Sequence, residues 1–265
     1  MTKTVFVTGS SSGLGKACCQ HFLNKGWNVA ATSRQKEIGF LESDNKNVIY
    51  PYLDVTDVAS IKTAISQTNI RFGQINVVIN CAGFAQMGPL EVLSSKQIKQ
   101  QLETNFFGCV NVIQSSLDSL KKSQGTIVNI SSLGGEMSFP LGSSYHASKW
   151  ALEGLSESIR FELAAFNVKV KLIQPGGLKT NFVNEGMHFS TNTEYESMTT
   201  KMKKLLKKVE PTLPGPEYTA KVIFKAVTQN TAKFRYATHS CLYKSLRTLL
   251  PDILWFRLIN KMTLG

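Results

Sequence analysis

Thr4-Val5-Phe6-Val7-Thr8-Gly9-Ser10-Ser11-Ser12-Gly13-Leu14-Gly15 decides how the rest of the chain is read. Residues 4–8 are a short apolar, β-branched run suited to a buried strand, and a helical pattern through Ala17, Phe22 and Leu23 follows the glycines. A strand that enters a helix through a glycine turn lets backbone approach a ligand closely. The helix start also offers unpaired N–H groups and a positive dipole end to a phosphate. The spacing is G-x-x-x-G-x-G, not the G-x-G-x-x-G of the commonest dinucleotide fingerprint. Alone, the stretch fits either a pyrophosphate site or a glycine turn without a ligand.

The segments that follow favour the first. Gly26 closes the helix, and residues 28–32 form a second strand whose end would meet an adenosine ribose. Ser33 and Arg34 stand there without an acidic residue, an arrangement that suits a 2′-phosphate and hence NADP better than NAD. Lys36 and Glu37, close and opposed in sign, keep open a plain exposed arginine. Residues 48–53 read as a third strand ending in Asp54-Val55-Thr56-Asp57, where Asp57 can cap the next helix. Asp54 suits either an adenine amino group or a turn. A fully apolar fourth strand over 76–79 ends in Asn80-Cys81-Ala82-Gly83, whose small residues leave room for a ribose. Strands alternating with helices predict a doubly wound parallel sheet of the Rossmann type.

Farther along lies Tyr145-His146-Ala147-Ser148-Lys149. On a helix the phenol and the amine fall on one face, one turn apart. A free phenol, with a reference pKa of about 10, accepts protons poorly at neutral pH. A cation held beside a phenol favours the phenolate, which makes proton exchange with an alcohol oxygen feasible near pH 7.

The chain has 265 residues, 42% hydrophobic and 18% charged, which suits one globular α/β domain rather than a disordered or membrane-embedded chain. The short apolar run after Met1 is too brief for a secretory signal. Five cysteines (Cys18, Cys19, Cys81, Cys109 and Cys241) show neither metal nor disulfide-framework spacing, so reduced thiols in a cytoplasm and no metal site are expected. The net charge of +12 is concentrated late, with 13 Lys/Arg against 5 Asp/Glu after residue 190 and 17 against 13 before it. No nucleic-acid-binding motif accompanies that excess.

Thr8-Gly9-x3-Gly13-x-Gly15, Asp54, Asn80-Cys81-Ala82-Gly83, Asn105, Ser132, Tyr145-x3-Lys149 and Pro175-Gly176 together resemble the ordered motifs of the short-chain dehydrogenase/reductase family. The chain looks most like its hydroxysteroid and retinol dehydrogenase branches. The resemblance implies a catalytic set of Asn105, Ser132, Tyr145 and Lys149. In it Asn105 orders a relay water, Ser132 rather than Ser131 polarises the substrate oxygen, Tyr145 transfers the proton and Lys149 holds the ribose. It also implies cofactor contacts from Gly9, Ser11, Ser12, Gly13, Leu14, Gly15, Ser33, Arg34, Asp54, Val55, Asn80, Ala82, Gly83, Tyr145, Lys149, Pro175, Gly176, Leu178 and Thr180. Two departures stand out: Cys81 replaces the second asparagine of the Asn-Asn-Ala-Gly motif, and Ser12 stands where many NADP-preferring members carry a basic residue. His146 is expected to point away from the chemistry.

Ser143 or Ser144 is expected to cap the helix carrying Tyr145, and Leu152, Leu155, Ile159 and Leu163 form its core or subunit-contact stripe. Residues 181–216 read as a lid, with Met202, Leu205, Leu206 and Val209 on one face of a helix and five lysines on the rest. A last strand is expected over 233–236, then an apolar helical tail over 241–265 that is too interrupted to span a bilayer. That tail would cover the pocket, join a homodimer or homotetramer, or make peripheral contact with a membrane. Phe84, Met87, Phe139, Leu141, Phe182, Val183, Met187 and Phe189 suggest an apolar substrate wall. The expectation is an NADP(H)-dependent carbonyl reductase or alcohol dehydrogenase for a steroid, retinoid or lipid-like substrate, with NAD(H) the weaker choice. The rivals are a cofactor-binding regulatory protein with little turnover and a membrane-surface protein.

Overall fold

Thr4–Val7 (β1) is completely buried, with Val5 and Val7 facing one layer of core and Phe6 the other, the period-two alternation of a strand. A computed structural model describes residues 2–35, 45–239 and 241–263, the side chains of 241–244 and 262–263 excepted; Lys36, Glu37 and the Cys241 thiol lie outside it. After β1 come Gly13–Asn24 (α1), Asn28–Ala31 (β2), Val48–Ile49 (β3), Val58–Phe72 (α2), Val77–Asn80 (β4), Ala85–Met87 (β5) and Ser95–Leu102 (α3). Gly108–Ser123 (α4), Thr126–Ile130 (β6), Ser143–Ala164 (α5), Lys169–Pro175 (β7), Met187–Phe189 (β8) and Glu196–Val209 (α6) follow. Glu217–Thr228 (α7), Arg235–Thr238 (β9), Cys241–Leu249 (α8) and Asp252–Thr263 (α9) complete the order.

Seven strands pair in parallel in the order β3-β2-β1-β4-β6-β7-β9. Phe22, Ala220 and Ile223 of α1 and α7 pack against one face, and Ile61, Val112, Leu120 and Leu163 of α2, α4 and α5 against the other. This is the doubly wound Rossmann-type sheet. The order reverses between β1 and β4, and in such sheets ligands bind outside the strand ends at that switch. A separate parallel pair, β5 and β8, stands beside it and was not foreseen.

Several boundaries differ from expectation for physical reasons. The third strand ends at Ile49 because Pro51 has no N–H to give; pairing resumes as a single Ser33–Tyr52 bridge. Gly142, not Ser143 or Ser144, is the N-cap of α5, and no side chain caps it; the Ser144 hydroxyl donates instead to the Gln86 carbonyl at 3.1 Å. The last strand falls two residues late, at Arg235–Thr238. Pro251 divides the tail into two helices. Asp57 does cap α2, accepting from the Ala59 N–H at 2.9 Å. No helix among the described residues is long and apolar enough to cross a membrane.

Candidate active site

A cleft of about 1550 Å³ opens at the strand ends. Gly9, Ser11, Ser12, Gly13, Leu14 and Gly15 line one end of it. Gly9 and Gly13 take positive φ values of 65° and 51°, a backbone that favours glycine. A Cβ on Gly9 would lie 2.7 Å from the Ala82 Cα, and one on Gly15 would collide with the Gly9 carbonyl oxygen. The glycines therefore let β1, the start of α1 and the end of β4 meet. The Thr8 hydroxyl fixes that meeting by accepting from the Cys81 and Ala82 N–H groups at 3.0 and 3.1 Å. The Ser12 side chain does not cap α1, whose first residues, Gly13, Leu14 and Gly15, line the cleft. This glycine cradle at a helix start fits the pyrophosphate of a dinucleotide.

Ser33, Arg34, Asp54 and Val55 line the next part of the cleft. Ser33 is buried and its hydroxyl makes a local turn, accepting from the Gln35 N–H at 3.0 Å, whereas Arg34 is exposed at the rim. One Asp54 carboxylate oxygen accepts from the Thr56 N–H and hydroxyl at 2.9 and 2.8 Å. Ala82 and Gly83 form part of the floor beside Cys81, whose thiol burial pushes up to about 12, so it stays protonated. Pro175, Gly176, Leu178 and Thr180 form the far wall.

Asn80 is the exception among the expected cofactor contacts. It lies outside the cleft lining, and its amide donates to Asn129 at 2.8 Å, whose own amide donates to the Ser156 hydroxyl at 2.8 Å. Asn80 thus ties β4 to β6 and α5.

Tyr145, Lys149 and Ser132 meet in the same cleft. Lys149 is buried; its ammonium donates to the Ile130 carbonyl at 2.9 Å and stands 5.9 Å from the centre of the Tyr145 ring. An ammonium carries three donors, so two remain for other partners. The Ser132 hydroxyl accepts from the Gly134 N–H at 3.0 Å, which leaves its own hydrogen to donate. Asn105 is buried in a five-residue π-turn, Glu103–Phe107, between α3 and α4. Its amide brackets Phe84, accepting from the N–H at 3.1 Å and donating to the carbonyl at 2.9 Å, and it also donates to the Ser148 hydroxyl at 3.2 Å. Ser148 donates in turn to the Tyr145 carbonyl at 2.7 Å. Asn105 therefore holds the turn of helix that carries Tyr145, one layer behind the cleft surface.

His146, expected to point away from the chemistry, clasps the loop after Ser132. One ring nitrogen, Nδ1, donates to the Gly134 carbonyl at 3.0 Å, and Nε2 accepts from the Phe139 N–H at 3.0 Å. Only the neutral ring protonated at Nδ1 satisfies both partners. Burial lowers its pKa below 6.5, against the smaller opposing pull of the bond to the Gly134 carbonyl. Nothing local in the sequence announces this, because the partners lie on a loop 7 and 12 residues away.

The apolar wall comprises Phe84, Met87, Phe139, Phe182, Val183 and Met187. Leu141 and Phe189 are not part of it: Leu141 is buried in a left-handed backbone conformation, and Phe189 faces Lys203 of α6, whose ammonium is 5.1 Å from its ring centre. Met202, Leu205, Leu206 and Val209 of α6 and Ile259 of α9 extend the wall, while Lys96, Gln97, Lys99 and Gln100 of α3 make a polar rim.

The family model described as short chain dehydrogenase matches residues 3–189. The 3-ketodihydrosphingosine reductase of Bacteroides thetaiotaomicron is 34% identical over 94% of this chain and 93% of its own length. The NADPH-dependent 3-dehydrocapnine reductase of Ornithobacterium rhinotracheale is 31% identical over 97% and 94%. Among solved structures, a short-chain dehydrogenase from Streptomyces avermitilis superposes with a TM-score of 0.83 at 28% identity, covering 99% of this chain and 98% of that one. With its parallel sheet, glycine cradle and tyrosine–lysine helix, this chain belongs to the short chain dehydrogenase family of oxidoreductases.

Proposed function

We propose that the protein is an NADP(H)-dependent oxidoreductase that interconverts an apolar, lipid-like ketone and its alcohol, with reduction the favoured use. One observation carries the reading. Tyr145, Lys149 and the donor hydrogen of Ser132 share a cleft whose substrate end is walled by Phe84, Met87, Phe182 and Leu206. In the reductive direction Ser132 donates a hydrogen bond to the carbonyl oxygen and stabilises the charge that grows there. Tyr145 gives that oxygen its proton, and Lys149 holds the ribose and keeps positive charge beside the phenol. The nicotinamide, when bound, supplies hydride to the carbonyl carbon. Asn105 steadies the Tyr145 turn and is the proposed anchor of a relay water. The remaining cofactor contacts expected from the sequence form the rest of this proposal, with Asn80 contributing through its backbone alone.

Arg34 at the ribose end, with no carboxylate at Ser33, supports NADP. The O. rhinotracheale relative is named as NADPH-dependent, and the B. thetaiotaomicron relative as a reductase of a ketodihydrosphingosine, which supports a keto-lipid. Cys18, Cys19, Cys81 and Cys109 are free thiols, in keeping with the reducing cytoplasm proposed here. Trp150 and Phe161 are 51% and 70% exposed on α5, which supports a homo-oligomer through that helix.

The reading is tested by supplying purified protein with NADPH or NADH and a panel of long-chain 3-keto lipids, steroid ketones, retinal and a short water-soluble ketone. Fastest oxidation of NADPH with an apolar ketone is expected. If NADPH binds but none of these carbonyls is reduced, and the matching alcohols with NADP are not oxidised either, the protein is a cofactor-binding regulator instead.

A further inference from the structure

The tail of the chain carries more apolar surface than its packing uses. Trp255 and Ile259 of α9 are buried with Met137 and rest against Leu133 and Phe139, so the tail is fastened to the loop that follows Ser132. Ile259 also reaches the cleft. On the outside, Leu249, Ile253, Leu254 and Phe256 remain 78%, 61%, 46% and 63% exposed. Ile253 and Phe256 are one helical turn apart, and Leu249 precedes Ile253 across the break at Pro251. Large apolar side chains gathered in this way on a surface mark an interaction site.

The charge around them says what kind. Exposed Arg257 and Lys261 belong to α9, and α6, which packs against α9, shows exposed Lys204, Lys207 and Lys208. The single carboxylate of α8 and α9, Asp252, is tied to Arg247 at 2.8 Å, and α6 carries one, Glu196, in its first turn, away from Lys204, Lys207 and Lys208. Basic residues flanking an exposed apolar helix face match the headgroup region of an anionic bilayer, into which the apolar side dips while the cations meet lipid phosphates. Since no described helix is long enough to cross a membrane, such contact is on the surface.

We propose that the outer face of α8 and α9, together with the lysine face of α6, docks the protein on an anionic lipid bilayer. Docking holds the mouth of the cleft at the headgroups. Leu205, Leu206 and Val209, on the opposite side of α6 from its lysines, line that cleft, so a keto-lipid leaving the bilayer between α6 and α9 meets apolar walls continuously. The delivery step rests on the keto-lipid reading above; the docking does not.

The test is co-sedimentation of the full chain with phosphatidylcholine vesicles, with and without phosphatidylglycerol, at low and high salt. Two variants are compared: Leu249→Ser with Ile253→Ser and Phe256→Ser, and Lys204→Gln with Lys207→Gln and Lys208→Gln. Wild type should bind anionic vesicles at low salt at least tenfold more than neutral ones and release them at high salt. Each variant should lose at least tenfold in binding yet keep wild-type NADPH oxidation with a short soluble ketone. The proposal is overturned if wild type stays in the supernatant with anionic vesicles, or if binding ignores both variants. It is equally overturned if light scattering shows a dimer that the apolar variant splits while no species binds vesicles; a second copy then covers the patch. Vesicle binding without turnover of any ketone would sink the enzymatic reading and leave the docking standing.

Discussion

Ser132 and His146 act on opposite ends of one short loop. Ser132 uses its oxygen lone pair on the Gly134 N–H, while His146 holds the Gly134 carbonyl and the Phe139 N–H, so the serine hydrogen and the Phe139 side chain are set by the same clasp. Replacing His146→Phe strands the buried Gly134 carbonyl, at a cost of about 1–3 kcal/mol, and the half-buried Phe139 N–H at a smaller one. We expect a lower melting temperature and a lower kcat/KM, with cofactor affinity unchanged in a titration. The pH dependence has a definite sign. The folded-state pKa of His146 lies below the ordinary 6.5, so the unfolded chain binds the proton more readily. Its contribution to stability is complete above pH 6.5 and is lost as the pH falls through the folded value. Urea titrations from pH 7.5 down to 5 should show a steeper loss in wild type than in His146→Phe. Arg34 sets the cofactor preference in this account. Hydrogen bonds to a charged phosphate are worth roughly 1.5–3 kcal/mol, so Arg34→Ala should weaken NADPH by about ten- to a hundredfold and leave NADH nearly unchanged. Equal binding of both cofactors by wild type would place Arg34 in solvent.

At the scale of elements, the cradle is the joint on which the site depends. Gly15 lets the first turn of α1 rest on the Gly9 carbonyl, and Gly15→Ala places a methyl group against backbone that cannot move aside cheaply. Overpacking of this kind costs about 1–3 kcal/mol. The variant should melt earlier and bind NADPH weakly in a fluorescence titration; full affinity would show that the turn is looser than described. The strand–turn–helix at 4–24 and the tyrosine helix were legible because both depend on local spacing. The β5–β8 pair was not. Its partners are about 100 residues apart, and the side-chain bonds that support it, Gln86 to the His188 carbonyl and Gln97 to the Ser190 hydroxyl, are equally remote. Pro51 and Pro251, by contrast, are breakers visible in the sequence, and they end the third strand and divide the tail.

Across the whole molecule, the sheet brings residues from 9 to 259 to one cleft, and chemistry-bearing residue types explain how much of it was readable. Tyrosine, lysine, serine and glycine at fixed spacing point to one chemistry, and the fold brings Tyr145, Lys149, Ser132 and the glycine cradle to one cleft, as that reading requires. The side chains of Asn80 and Leu141 lie behind the cleft; an asparagine or leucine at a strand or loop end fits either the cleft or the packing behind it, and only long-range partners decide. The central claim is that Tyr145 transfers the proton in a cleft that already holds NADPH, and Tyr145→Phe tests it most directly. Turnover of the best apolar ketone and NADPH affinity should be measured on the same preparation. General acid–base groups contribute about 10²–10⁴-fold, so the account predicts a rate reduced by that factor at unchanged NADPH affinity. A variant that turns over at the wild-type rate would contradict it.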